Sequence, residues 1–452
     1  MTERCDVAVV GAGFAGLSAA RTLQRAGLRT VVLEARDRVG GRVHSRTLAS
    51  GVWVDLGGQW AGPTQDHLLA LLAEQGARTF PTWTRGHNLV QYQGKTRRYR
   101  GTIPRLGLRS LLDVGLAQWR LDRMARQVPL DAPWTAKQAA AWDATTLGAW
   151  LDRHLRTPVA RDLFGAGLET VFAAAPRELS LLHALFYIHS GKDLDTLFGS
   201  TDGAQATRVD GGMQGVAETL ARGLDVRLGQ PVRRIDHGGA DVTLTHDGGA
   251  VQAARVIVAI PPHLIAAMTF APALTGARAA LIAGMPMGAV IKCTAIYPRP
   301  FWRDRGLSGM VLSDQGPIHV AFDNSPPGAE VGVLMGFAEA DEARRLGRLP
   351  VDERRQAALA CFVRAFGPDA AMATDYVDHV WADDPWSGGC YGAFAPPGLW
   401  TAAGPAIRTP VGAIHWAGTE TAARWSGYID GAIASGLRAA AEVEAALAPA
   451  RR

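Results

Sequence analysis

The stretch from Val7 to Glu34 constrains the chain more than any other. An apolar β-type run, Val7-Ala8-Val9-Val10, leads into Gly11-Ala12-Gly13-Phe14-Ala15-Gly16. A helical run follows to Ala26-Gly27, and a second β-type run, Thr30-Val31-Val32-Leu33, ends on Glu34. This is a complete βαβ dinucleotide-binding unit. Gly11 permits the tight turn, Gly13 lets the backbone approach a pyrophosphate, and Gly16 lets the helix pack close to the strand. The helix N-terminus offers free N–H groups and a positive dipole end to phosphate. Glu34, 18 residues past Gly16 (34 minus 16), is placed to accept hydrogen bonds from a ribose diol. The bare glycine pattern is weak in a chain with 52 glycines. The flanking strands, helix and acid give it specificity.

Length and composition bound the rest. At 452 residues the chain exceeds what one hydrophobic core usually spans, so two domains are expected. A net charge of +5 is mild for this length, and no basic block with interleaved aromatics points to nucleic acid. Four of the 47 basic residues are lysines: Lys95, Lys137, Lys192 and Lys292. The four cysteines, Cys5, Cys293, Cys361 and Cys390, form no Cys-x-x-Cys and suit a reducing, cytoplasmic compartment. The first strand begins too early to leave room for a signal peptide, no membrane span is expected, and the C-terminal residues carry no anchor. The 12 histidines do not cluster at metal spacing, so no metal site is expected.

The chain changes style along its length. Asp66–Gly76 reads as a helix with a capping aspartate. From about Thr79 to Thr201 helical segments with aromatics dominate, such as Thr146–His154 and Leu179–Ser190. Arg208–Glu218 gives a glycine turn before a helix, Val226–Ile235 and Ala240–His246 read as strands, and Arg255–Pro262 as a buried strand stopped by two prolines. Met287 to about Val380 carries β-type runs at Ala289–Tyr297, Ile318–Phe322 and Val331–Phe337, with a helix around Glu353–Phe366. A final helix begins near Tyr428. The fold expected is α/β (α+β mixed), with a Rossmann-like domain over 1–78, 204–286 and 381–452. A sheet-plus-helices substrate domain over 79–203 and 287–380 interleaves with it, and a cleft between them is the expected ligand site.

Three stretches carry chemistry. Lys292 lies in the apolar run Gly288–Tyr297, where burial would favour the neutral amine; the alternative is a strand lysine alternating out to solvent. Cys390 stands between the pair Gly388-Gly389 and Tyr391, open to close approach by a ligand ring, or is a small buried apolar thiol. Gly418-Thr419-Glu420-Thr421 and Trp425–Gly431 introduce a helix whose N-terminus could face a ligand; Tyr428 there could equally be a core aromatic with a satisfied hydroxyl.

After Glu34 come Ala35-Arg36-Asp37-Arg38-Val39-Gly40-Gly41-Arg42 and then Gly57-Gly58-Gln59-Trp60. Two glycine pairs and several arginines suggest a long extended ligand, with arginine forks for phosphate. Together with the three stretches above, these residues resemble the flavin amine oxidase family, and within it the monoamine oxidases. The resemblance runs from one end of the chain to the other. It implies FAD, held by Gly11, Ala12, Gly13, Ala15, Gly16, Glu34, Ala35, Arg36, Gly41, Arg42, Gly57, Gly58, Gln59 and Trp60 and by Val232, Trp381, Cys390, Gly418, Thr419, Gly427, Tyr428 and Ile429. It also implies oxidation of a small amine to an imine with O2 reduced to H2O2. The lysine matching Lys292 holds a water beside flavin N5 in that family. The cysteine matching Cys390 carries FAD through a thioether. Tyr391 and Tyr428 match an aromatic sandwich around the substrate amine. Trp381 matches a tryptophan near the flavin and the lysine, and Val232 a residue whose backbone meets the adenine. Thr170, Phe172, Phe198, Gln205, Val320 and Phe337 fall at substrate-pocket positions. Gln59-Trp60, Val320 and Thr170 depart from the usual residues, which opens the substrate's identity. A di- or polyamine would favour channel acids, with Asp195 and Asp323 as candidates; a cyclic alkaloid amine is a further alternative, and an amino acid would need a pocket arginine. A flavin-carrying module without oxidase activity and a nicotinamide dehydrogenase are the competing readings, and the oligomeric state, a homodimer included, stays open.

Overall fold

A computed structural model describes residues 3–104 and 106–448; the expectation that the C-terminal residues carry no anchor falls partly on 449–452, which lie outside the described residues. Strand β1 (Glu3–Val10) runs into helix α1 (Phe14–Arg25), and β2 (Thr30–Leu33) pairs parallel to β1 in the register Val7↔Thr30. On the other side β1 pairs parallel to β3 (Gly249–Val258), from Glu3↔Val251 to Val10↔Val258. Their apolar residues are buried on both faces, which is why these strands read as continuous apolar runs rather than alternating ones. The sheet has eight strands. Asp225–Arg227 extends it past β2; beyond β3 come Val242–His246, Val232–Asp236 and Thr269–Ala271, and Ile414–Trp416 pairs with the far end of β3. β3 begins at Gly249, earlier than the Arg255 expected from sequence. The Asp247-Gly248 turn folds Val242–His246 back onto it as an antiparallel hairpin. It ends before Pro261-Pro262, as expected.

A second sheet of seven strands lies over the cleft. Its centre is β4 (Val290–Tyr297) paired antiparallel with β5 (Gly332–Glu339), continued by Val320–Asp323 and Leu307–Ser313, and flanked by Asp375–Val380. Its other edge is the hairpin His87–Tyr92 and Lys95–Tyr99. That hairpin corrects the helical reading of the chain from Thr79, which also contributes the short strand Thr79–Pro81. Helices do follow, including α2 (Leu108–Ala125), Leu147–His154, Pro158–Phe172 and Leu181–Ser190, and they share one core around Leu121, Trp150, Leu168 and Phe186. Helix Asp66–Glu74 forms, but Gln65 occupies its N-cap position and no side chain caps it. Asp66 sits in the first turn, where its charge meets the dipole instead.

The terminal helix α3 (Ile429–Leu447) returns to pack along α1. The approach is close enough that a Cβ added to Gly436 would lie 2.1 Å from the Ala15 carbonyl oxygen. Both α1 and α3 start at the same cleft, with Gly13 and Tyr428 as their N-cap residues and no side-chain cap on either.

Candidate active site

One cavity of about 960 Å³ runs from the glycine turn after β1, under the second sheet, to the helical layer. At one end Gly11 and Gly13 line it beside Glu34. Gly11 needs its positive φ of 98°. A Cβ on Gly16 would sit 1.9 Å from the Gly11 carbonyl oxygen, so this glycine permits the turn-to-helix packing and does not itself line the cavity. Ala12 is likewise outside the lining; its N–H donates to Glu34 Oε2 at 2.6 Å. Glu34 Oε1 accepts from Arg36 N at 2.9 Å. The buried carboxylate thus ties the turn to the loop after β2, and each oxygen keeps a second lone pair for a ribose hydroxyl. Ala15, Ala35 and Val232 line the same end.

Arg36 and Arg42 both line the cavity and also meet acceptors of the protein, with Arg36 Nε left without a partner. Arg36 Nη2 donates to Asp384 Oδ1 and to Ser387 Oγ, both at 2.7 Å. Arg42 forks onto Glu420 at 2.6 and 3.2 Å and also donates to the Tyr391 carbonyl at 2.9 Å. Burial raises the Glu420 carboxyl, and the Arg42 charge outweighs it and holds the acid low. This pair ties the loop carrying Cys390 and Tyr391 to the turn Thr419–Thr421, with Glu420 Oε1 also accepting from Ala393 N. The first N–H groups of α1 have no side-chain cap, which leaves them open to an anion.

Lys292 settles the question its alternation raised. Both faces of the second sheet are covered, so the strand has no solvent side. In register with Lys292 stand Phe337 and, one strand further, Val320; all three line the cavity. Lys292 Nζ donates to the Gly57 carbonyl at 3.0 Å and to Gln59 Oε1 at 2.5 Å, and lies 5.9 Å from the Trp60 ring centre. Burial pulls its pKa down to about 7. Gly41, Gly57 and Gly58 line the cavity beside it, and a Cβ on Gly57 would lie 2.2 Å from the Arg42 carbonyl oxygen. Trp381 closes the wall, its Nε1 donating to the Leu56 carbonyl at 2.9 Å.

Cys390, Tyr391 and Tyr428 all border the cavity, with Gly418, Thr419, Gly427 and Ile429 around them. The peptide bond between Cys390 and Tyr391 is cis. The Cys390 thiol is buried, which pushes its pKa up to about 12. Tyr428 packs against Trp425 at 4.9 Å and Tyr187 at 6.0 Å, and Tyr391 edge-on against Phe337 at 6.1 Å. Thr170, Phe198 and Gln205 line the helical side. Gln205 Nε2 donates to the Leu197 carbonyl, and its buried Oε1 has no partner in the protein. Phe172 is a correction: it does not line the cavity but lies in the helical core, 5.0 Å behind Tyr187. Tyr187 takes a place in the wall that sequence reasoning passed over, although it falls in the aromatic helix Leu181–Ser190. Glu339 was also missed. It is buried at the end of β5, within 3.5 Å of the Tyr391 hydroxyl and 3.3 Å of Thr170 Oγ1. Of the two acids considered for a polyamine, Asp195 stands at the exposed rim. Asp323 is buried away from the cavity, held by Trp302 and Arg303.

A dinucleotide cradle that opens on a buried lysine and two tyrosines defines a flavoenzyme acting on a small molecule. The family profile of flavin-containing amine oxidoreductases matches residues 14–444. The Mycobacterium tuberculosis protein AofH, named as a flavin-containing monoamine oxidase, is 47% identical over 98% of this chain and 97% of its own. The flavin-containing amine oxidase B of Canis lupus familiaris is 37% identical over 98% of this chain and 86% of its own. Among solved structures, a putrescine oxidase bound to putrescine superposes with a TM-score of 0.95 at 33% identity, covering 98% of this chain and all of that one. Cyclohexylamine oxidase from Brevibacterium oxydans does so with 0.93 at 32%, covering 98% and 99%. The chain belongs to the flavin-containing amine oxidase family and is an FAD-dependent amine oxidase.

Proposed function

We propose that this enzyme oxidises a monoamine with an apolar body rather than a diamine or an amino acid. The observation that carries the reading is the lining beyond Lys292. Val320, Phe322, Phe337, Met310, Leu163 and Val171 supply apolar wall, and no carboxylate stands among them. The acids that do border the cavity are Glu34 at the dinucleotide end and Asp193, Asp195 and Asp202 at the helical rim. Glu339 stands behind this wall, against Thr170 Oγ1 and the Tyr391 hydroxyl, and burial favours its neutral form, so a second ammonium would meet no charged carboxylate in the lining beyond Lys292, which is costly. Arg42, the arginine beside the tyrosines, is already neutralised by Glu420, which leaves an amino acid's carboxylate without a fork.

FAD, when bound, would supply the redox chemistry: two electrons and one proton from the amine α-C–H, with a second proton from its N–H, reduce O2 to H2O2 and leave an imine that takes up water to give an aldehyde or ketone plus ammonia or an amine. The residues named at the dinucleotide end hold it. Tyr391 and Tyr428 offer ring faces that attract the ammonium on entry and then hold the neutral amine. Lys292, with a pKa brought down to about 7, can exchange a proton near neutral pH at Nζ, while Gly57 and Gln59 fix where that atom points. Gln205 offers its unpartnered oxygen to the amine N–H side of the cavity. Cys390 is the one cysteine bordering the cavity among the described residues, and it is the candidate for a thioether to the flavin. The four unpaired thiols support a reducing, cytoplasmic setting.

Oxygen-free titration of the purified protein tests the substrate. An arylalkyl monoamine should bleach the flavin band at far lower concentration than putrescine, and admitting air should restore it with one H2O2 per cycle. Preferential bleaching by putrescine or by an amino acid would overturn the monoamine assignment.

A further inference from the structure

The loop after β2 borders two cavities. Ala35 and Arg36 line the dinucleotide end of the large one. A second cavity of about 370 Å³ shares that wall and continues along Arg38, His44, His379 and Asp384, none of which lines the first. Its charges do not balance. Arg36 is paired with Asp384 at 2.7 Å and lies 3.7 Å from Glu34. Arg38 makes no ion pair among the described residues. It donates to three neutral acceptors, the carbonyls of Val43 at 2.9 Å, Gly41 at 3.0 Å and Val39 at 3.3 Å. Burial, and then the Arg36 charge beside it, pulls its pKa down to about 10, as befits a cation short of negative charge. Asp37, the remaining acid of the wall, is exposed.

The two histidines of this cavity lack partners as well. Their rings stand edge to face with centres 6.1 Å apart, and His44 Nδ1 and His379 Nε2 are both buried with no hydrogen-bond partner in the protein. Asp384 Oδ2 lies 4.0 Å from His379 Nε2, beyond hydrogen-bond reach. No set of three His, Cys, Asp or Glu side chains among the described residues is placed to hold a metal ion. A guanidinium and two imidazoles, each able to turn an N–H outward, are instead a set of donors. They also stand behind the reactive end of the main cavity. His379 lies opposite Lys292 in strand register, and its ring centre is 4.4 Å from that of Trp381. The His44 carbonyl accepts from Leu56 N at 2.7 Å and Gly57 N at 3.3 Å.

We propose that this second cavity binds a small inorganic oxyanion, such as phosphate or sulfate, between the Arg38 guanidinium and the His44 and His379 rings, at a site separate from the one that takes the dinucleotide. A tetrahedral oxyanion offers several acceptor oxygens to these donors, and its charge supplies the partner that Arg38 lacks. The occupant would rest against the residues that back Trp381 and carry the Gly57 carbonyl, which itself holds Lys292 Nζ.

Crystals of the FAD-loaded full chain soaked in selenate test the location, because the anomalous signal of selenium distinguishes the anion from water. A peak bounded by Arg38, His44 and His379 is expected. Calorimetric titration of the same holoenzyme with sulfate should show one saturable site, with affinity about tenfold lower in Arg38→Gln and in His379→Gln. Should Arg38→Gln fail to fold, His44→Gln and His379→Gln carry the comparison, since neither ring has a hydrogen bond to lose within the protein. A soaked crystal with this cavity empty, or sulfate affinity unchanged in the folded variants, would overturn the proposal. A peak in the crystal without saturable binding in solution would mark an adventitious ion only and overturn it equally.

Discussion

Lys292 Nζ and Gln59 Oε1 meet at 2.5 Å across 233 residues of sequence. The amide cannot easily turn away, because Gln59 Nε2 donates to Asn324 Oδ1 at 2.8 Å and so aims the oxygen at the lysine. The acceptor favours the ammonium against a burial that favours the amine. Removing it should lower the lysine pKa below about 7; adding charge should raise it. In the kcat–pH profile the rising limb near pH 7 is expected to move to lower pH in Gln59→Leu and to higher pH in Gln59→Glu. Lys292→Met should abolish it and cost about 10²-fold in kcat. A limb that stays in place in all three variants would assign it to the substrate amine instead.

Glu339 makes a second pH prediction with the opposite chemistry. Burial pushes its carboxyl up to about 8 from 4.5. The folded state therefore binds a proton that the unfolded chain has already released between those values, and stability falls as pH rises through this window. Glu339→Gln keeps the shape without the charge. It should match the wild type at pH 4.5 and exceed its Tm by roughly 2 to 4 °C at pH 8.5. An equal Tm difference at both pH values would show that the carboxyl does not ionise in the fold.

Much of this site was legible in the sequence because its parts are local. The strand, glycine turn, helix and acid from Val7 to Glu34 lie in one βαβ unit, and their chemistry follows from spacing alone. Lys292 was only half legible: alternation allowed a solvent-facing lysine, and the helices Ala340–Gly347 and Val351–Phe366 that cover the outer face of β4 lie some 50 residues or more downstream. The hairpin His87–Tyr99 was missed because its outer strand, Lys95-Thr96-Arg97-Arg98-Tyr99, is a charged sheet edge. Charge is how such edges avoid pairing with other chains, and it erases the apolar signal of a strand. That the arginine forks also meet Glu420 and Asp384 was not legible, because those acids lie hundreds of residues away.

Cys390 offers a clean covalent test. Its thiol is buried and held neutral, so in the absence of flavin it should be unreactive toward external thiol reagents at neutral pH. If it carries the cofactor, acid-precipitated wild-type protein stays yellow, and Cys390→Ala releases all its flavin to the supernatant while still binding FAD before denaturation. Flavin in the supernatant of both proteins would show that the thioether is not made.

The crossing of α1 and α3 sets how tightly the dinucleotide end is held. A Cβ on Gly436 would come within 2.1 Å of the Ala15 carbonyl oxygen and 3.1 Å of Ala19 N, backbone atoms that no side-chain rotation can clear. Gly436→Ala must therefore push the two helices apart. Both helices begin at the cavity, so the displacement reaches the glycine turn at Gly11–Gly13 and the Gly427–Ile429 segment together. Overpacking of this kind costs about 1–3 kcal/mol. The variant should show a lower Tm and should purify with less than its full share of FAD, partly restored by added cofactor, whereas Ala434→Gly on the same helix should lower the Tm without emptying the site. Full FAD occupancy in Gly436→Ala would mean that the helices move without disturbing the turn they frame.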